Sequence, residues 1–173
     1  MQLTCLRRPI RDPEYVRTVR ALLSHDHVLM MKDFVQHGRT STLEHCVNVS
    51  YICWRIAKRL RLDARALARA ALLHDMYLYD WHEIIPEHID KLGKHAFYHP
   101  KVACHNAMAV FHLNRKERDI IMKHMWPVTP IPPRYRETWV IVFVDKYCAF
   151  MEFLLEVRIR CHKRLRRWRG RLK

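Results

Sequence analysis

Glycine is scarce. Only three occur in 173 residues, at positions 38, 93 and 170. Each stands alone, so neither G-x-G-x-x-G nor G-x-x-x-x-G-K can be formed, which removes the common dinucleotide-binding and P-loop architectures. Long apolar runs are missing too: the longest, such as Trp139 to Val144, are cut by charges, far short of the roughly eighteen residues a membrane span needs. The first residues hold no apolar core ending in small side chains, so no secretory leader is expected and the expected location is cytoplasmic. The six cysteines (5, 46, 53, 104, 148 and 161) form no C-x-x-C pair. Most lie within apolar segments, where a free thiol behaves as a small buried hydrophobe, and reduced core thiols are expected.

Acidic residues are outnumbered, 17 against 32 Lys and Arg, for a net charge of +15. The excess is uneven, because residues 157–173 contain nine Lys or Arg and no acid. The length suits one domain, here read as residues 1–157, followed by a basic tail or helix extension over 158–173. A run of this kind with Trp168 inside it suits nucleic acid or acidic lipid heads, or is simply the solvated end of a last helix; the solvated end is the expectation. No recognised nucleic-acid motif occurs elsewhere.

Helix signals dominate and strand signals are almost absent, so an all-α fold is expected. Asp12-Pro13 opens a first helix with Val16, Val19, Leu22 and Leu23 at helical spacing. A shorter helix is expected from about 28 to 36, ended by Gly38. Ser41 and Glu44 have capping-box spacing and start a long helix from Thr42 to about Leu60. Asp63 caps the next, which should run to about Asp75. Residues 76–98 read as a loop with one short helix at most. Pro100 suits the first turn of a helix ending near Leu113, and Asn114 with Glu117 resembles a second capped start, for a helix to about Met125. A Pro-rich connection then leads to a final helix from about Tyr135 to beyond Glu156.

Several ionisable side chains fall on apolar stripes. Leu67, Ala70, Ala71 and His74 keep the i, i+3, i+4, i+7 spacing of a buried face. Glu117, Ile120, Ile121 and His124 repeat it. Asp145 shares a row with Ile141 and Ala149, and His45 with Val49, Ile52 and Ile56. Four polar groups on four helices thus aim inward, with Asp75 beside His74. A buried, ionised Asp needs a partner charge, and a metal supplies one.

The order His45, His74-Asp75, His99-Pro100, His124 and Asp145, at spacings of 29, 25, 25 and 21 residues, resembles the HD superfamily of metal-dependent phosphohydrolases, over about residues 25–155. The likeness is greatest to small single-domain members with similar His-Asp-x-x-x-Tyr-Asp-Trp-His and Lys-His-Met-Trp-Pro segments. It implies an HD-type helical bundle with the site between helices. In it His45, His74, Asp75 and Asp145 would hold one divalent metal, and Asp75 would bridge to a second held by His99 and His124. Imidazole and carboxylate donors suit Fe, Mn, Co or Zn. Two such ions can activate a water for attack on phosphorus, so the implied activity is hydrolysis of a soluble phosphoester or nucleotide. Many members carry a lysine three positions after the Asp of the pair; here that position is Leu78.

Asp80 and His82, in the following loop, are candidate proton donors or supports for the ligands. Lys146 and Arg39 are candidate phosphate contacts, and His37 and His95 candidates for the mouth of the site. Trp81 and Trp126 could stack on a base, with packing the plainer expectation. Two other functions fit the same ligands: a di-iron oxygenase, and a non-catalytic module binding nucleotide or nucleic acid.

Overall fold

A computed structural model describes residues 10–37, 39–79 and 95–170. Asp12 starts α1 (Pro13–Leu23), accepting the backbone N–H groups of Glu14 and Tyr15 at 3.0 and 3.1 Å. Its other carboxylate oxygen accepts the Trp54 indole N–H at 2.9 Å, so the cap also ties α1 to the long helix that follows. The inward row of α1 is Tyr15, Val19 and Leu22, whereas Val16, expected inside, is exposed.

The helix expected over 28–36 is broken. The chain forms α2 (Asp26–Leu29), one 3-10 turn (Met30–Lys32), and then strand β1 (Val35–His37), paired antiparallel with β2 (Thr40–Ser41). Tertiary hydrogen bonding overrides the helical pattern: the Phe34 carbonyl accepts both the N–H and the hydroxyl of Thr42, at 2.8 and 3.2 Å. This hairpin carries Gln36 to the functional site.

Ser41 and Glu44 form the expected capping box at the head of α3 (Thr42–Leu60). Arg61 closes α3 in the left-handed conformation, φ 53°. Asp63 accepts the Ala66 N–H and starts α4 (Ala64–Leu73). That helix stops two residues before the expected Asp75, leaving His74 and Asp75 in the turn after it. α5 (His95–Val110) begins earlier than expected and holds Pro100 in its interior. Pro100 thus comes one turn after the start rather than in the first turn. A capping box of Asn114 and Glu117 opens α6 (Arg115–Lys123), and α7 (Arg136–Gly170) runs for 35 residues, so Trp139 to Val144 are helical as expected.

α3 lies against α4 and α7, and α6 joins α4, α5 and α7. Leu67, Leu72, Leu73, Met76, Ile120, Ile121 and Ile141 fill the space between them and are fully buried. The all-α expectation holds, with one small hairpin added. Four cysteines (46, 53, 104 and 148) are buried free thiols, but Cys161 is exposed, because α7 has left the body of the protein by that point.

Candidate metal centre

Each of four buried imidazoles is anchored through Nδ1. His74, His99 and His124 donate Nδ1–H to the carbonyls of Ala71, His95 and Ile121 at 2.8, 2.9 and 2.7 Å. The carbonyls belong to the preceding turn of α4, α5 and α6. Two of these histidines, 74 and 124, sit just past a helix end, where the last carbonyls lack intrahelical partners. His45, on α3, meets the Glu152 carboxylate at 3.0 and 3.2 Å through Nδ1. A carbonyl can only accept, so in the neutral form at least three rings carry their proton on Nδ1, which leaves Nε2 to a ligand.

All four Nε2 atoms turn toward Asp75 and Asp145. The Asp145 Oδ1 lies 3.0 Å from His45 Nε2 and 3.4 Å from His74 Nε2. The Asp75 Oδ1 lies 3.2 Å from His99 Nε2 and 3.6 Å from His124 Nε2, and its Oδ2 is 3.3 Å from His74 Nε2. The His99 and His124 Nε2 atoms approach to 2.9 Å. Among the described residues three sets are compact enough to hold an ion, His45/His74/Asp145, Asp75/His99/His124 and Cys46/His74/Asp75. Among the described residues, His74 Nε2 and Asp75 Oδ1 are buried without a hydrogen-bond partner. Burying such atoms unsatisfied costs roughly 1–3 kcal/mol each, and a shared cation removes that cost. The donor set therefore fits a divalent metal.

The electrostatics show how strongly the cluster wants positive charge. Burial alone would push the His45 and His74 pKa values down, but Asp145 and Glu152 beside His45, and Asp75 and Asp145 beside His74, hold both well above the ordinary imidazole range. Burial likewise opposes ionisation of Asp75 and Asp145, and the neighbouring imidazoles outweigh it, so both carboxyls stay well below their usual range. His124 goes the other way, to about 3, through burial and the charges of His74 and His99. The site thus offers carboxylates and at least one neutral imidazole.

Three supporting residues were not read from the sequence. Glu152 is fully buried on α7, seven positions after Asp145, and grips His45. Its signal was present, since Ile141, Asp145, Cys148 and Glu152 make one inward row. Gln36 donates to Asp75 Oδ2 at 2.7 Å, and the Tyr77 hydroxyl donates to Gln36 Oε1 in turn. Gln36 comes from the unexpected hairpin, so no helical pattern could place it. A thiol also borders the cluster, with Cys46 Sγ 3.6 Å from His74 Nδ1.

The remaining expected site residues fare differently. His95 stacks on His99, with ring centroids 4.7 Å apart, and its Nδ1 is 3.1 Å from the Tyr79 hydroxyl. Burial raises the Tyr79 pKa to about 12, so the phenol keeps its proton. Lys146 Nζ reaches the carbonyls of Val142 and His124 at 3.2 and 3.4 Å, and burial lowers its pKa. Arg39 stands exposed in the β1–β2 turn. Asp80, Trp81, His82 and the His37 side chain lie outside the described residues. Trp126 packs edge-on against Trp139, centroids 4.7 Å apart, in agreement with a packing role. Leu78, at the position of the family lysine, has φ 56° and packs against the core.

The HD domain family model matches residues 42–133. This chain belongs to the HD domain family, whose members bind divalent metals and are mostly metal-dependent hydrolases. The match stops before Asp145; the fold supplies that residue from α7, against His45 and His74. No curated protein and no solved structure matches the chain.

Proposed function

We propose that the protein is a divalent-metal-dependent phosphohydrolase acting on a soluble phosphoester or nucleotide. The observation that carries this reading is the pair of buried atoms with no hydrogen-bond partner among the described residues, His74 Nε2 and Asp75 Oδ1, beside imidazoles whose Nδ1 atoms are already committed. In this reading His45, His74, Asp75 and Asp145 would hold one metal, and Asp75, His99 and His124 would hold a second. Two divalent ions, of Fe, Mn, Co or Zn, would supply Lewis acidity and lower the pKa of a bound water.

The chain's own residues do the rest. Glu152 holds the His45 ring by Nδ1, and Gln36 fixes the Asp75 carboxylate by its second oxygen. Tyr77 orients Gln36. Lys146 leaves its two backbone carbonyls to meet a phosphate oxygen, exchanging contacts to neutral acceptors for one to an anion. Asp80 or His82 would give the leaving group its proton, Arg39 would meet the phosphate, and His37 and His95 would line the mouth. Positive charge over the surface draws an anionic substrate inward. Residues 1–157 are taken as the catalytic domain.

The test is to reconstitute the protein with Mn or with Fe and follow phosphate release and oxygen uptake together, over a panel of phosphomonoesters and nucleotides. Phosphate release without oxygen uptake is expected. Iron-dependent oxygen uptake without phosphate would assign the site to a di-iron oxygenase, and saturable nucleotide binding without turnover would make it a binding module.

A further inference from the structure

α7 has two faces with different employment. Ile141, Asp145, Cys148 and Glu152 point into the protein and carry part of the metal cluster. Roughly half a turn around the helix, at about 100° per residue, runs a second row at alternating intervals of four and three: Phe143, Tyr147, Phe150, Leu154 and Val157. All five are exposed, from 39% for Val157 to 65% for Phe143, and Trp168, three turns further along the same face, is 62% exposed. A contiguous row of large apolar side chains in water marks an interaction surface.

The charges around this row say what covers it. Arg158 lies on one side of it and Arg160 and Arg164 on the other, all exposed. Every acid of α7 is engaged elsewhere: Glu137, Asp145 and Glu152 are buried, and Glu156 pairs with Arg160 at 3.0 Å. A second copy of this helix would therefore bring seven more Lys and Arg over 157–170 and no outward acid to meet them. A nucleic acid would satisfy the charges but leave Leu154 and Val157, which have no stacking face, in water. An anionic lipid surface satisfies both, since acyl chains take the apolar row and headgroups take the arginines. Trp168 suits the boundary between the two.

We propose that the outer face of α7, from Phe143 to Trp168, is a docking surface for anionic membranes. The helix lies in the headgroup plane, with the metal cluster on its opposite face.

The experiment is co-flotation of the whole protein with vesicles of phosphatidylcholine alone or mixed with phosphatidylserine. Wild type is expected to float with the mixed vesicles at least about tenfold more than with the neutral ones, and to detach as salt rises. Phe150→Glu with Leu154→Glu should abolish flotation, and Arg158→Gln with Arg160→Gln and Arg164→Gln should weaken it about tenfold or more. Circular dichroism and metal content of both variants confirm folding. No flotation, equal flotation with neutral vesicles, or flotation indifferent to the apolar row would overturn the proposal. So would concentration-dependent dimerisation through the row, or binding confined to polyuridylate RNA.

Discussion

His99 Nε2 and His124 Nε2 lie 2.9 Å apart, although each ring donates its Nδ1–H to a backbone carbonyl. With the Nδ1 protons committed, a metal seated between the two inner nitrogens would take a lone pair from each. Asp75 Oδ1 completes the same group. His124→Ala should therefore lower metal content from about two ions per chain to about one, leaving the His45/His74/Asp145 set filled. Loss of both ions, or of neither, would show that the two groups are not separate seats.

Glu152→Gln tests the support behind His45. The amide keeps the shape but removes the charge that fixes the ring and raises its basicity. Losing such a partner costs about 10–100-fold in metal affinity. The expected result is that loss, read by competition with a fluorescent chelator, at unchanged helicity. Affinity equal to wild type would mean that Glu152 merely fills space beside His45.

The inward faces of α3, α4, α6 and α7 were legible because period and residue type agreed there: His45, His74, His124 and Asp145 all lie on the stripes that carry the core. Two features were hidden for different physical reasons. Gln36 reaches Asp75 through a hairpin whose pairing depends on Thr42 and Phe34, a tertiary contact that overrides a short helical pattern. His99 stands in a helix with Pro100 in its interior, where a local rule places proline at the start. The family resemblance, and no periodicity, pointed to His99.

The Lys116–Glu137 pair gives stability with a defined pH window. Glu137 accepts from Lys116 Nζ at 2.8 Å and from the Asp63 N–H at 3.0 Å. Burial opposes its ionisation, but these donors outweigh it and lower its pKa below 4.5; the same pairing raises Lys116 above 10.5 against burial. The carboxylate's contribution is present above pH 4.5 and is lost as pH falls through its lowered folded value, while that of the ammonium is present below 10.5 and is lost as pH rises through its raised one. Glu137→Gln should cost about 1–2 kcal/mol near neutrality. The gap to wild type should close in acid, as read from urea midpoints across pH. A gap independent of pH would remove the charge from the explanation.

Arg61 ends α3 at φ 53°. The left-handed region costs a residue with a Cβ about 1–2 kcal/mol, and glycine returns about 0.4–1 kcal/mol of that through a looser unfolded chain. Arg61→Gly should thus stabilise the protein by about 0.5–1 kcal/mol, seen as a higher urea midpoint with an unchanged slope. A lower midpoint would mean that the arginine side chain makes a stabilising contact.

The central claim is that Asp75 joins two metal seats, and elemental mass spectrometry of wild type and Asp75→Ala, purified anaerobically without chelator, tests it most directly. About two transition-metal ions per chain are expected in wild type and close to none in the variant, because Asp75 would serve both proposed seats. Equal metal content in the two proteins would contradict the account.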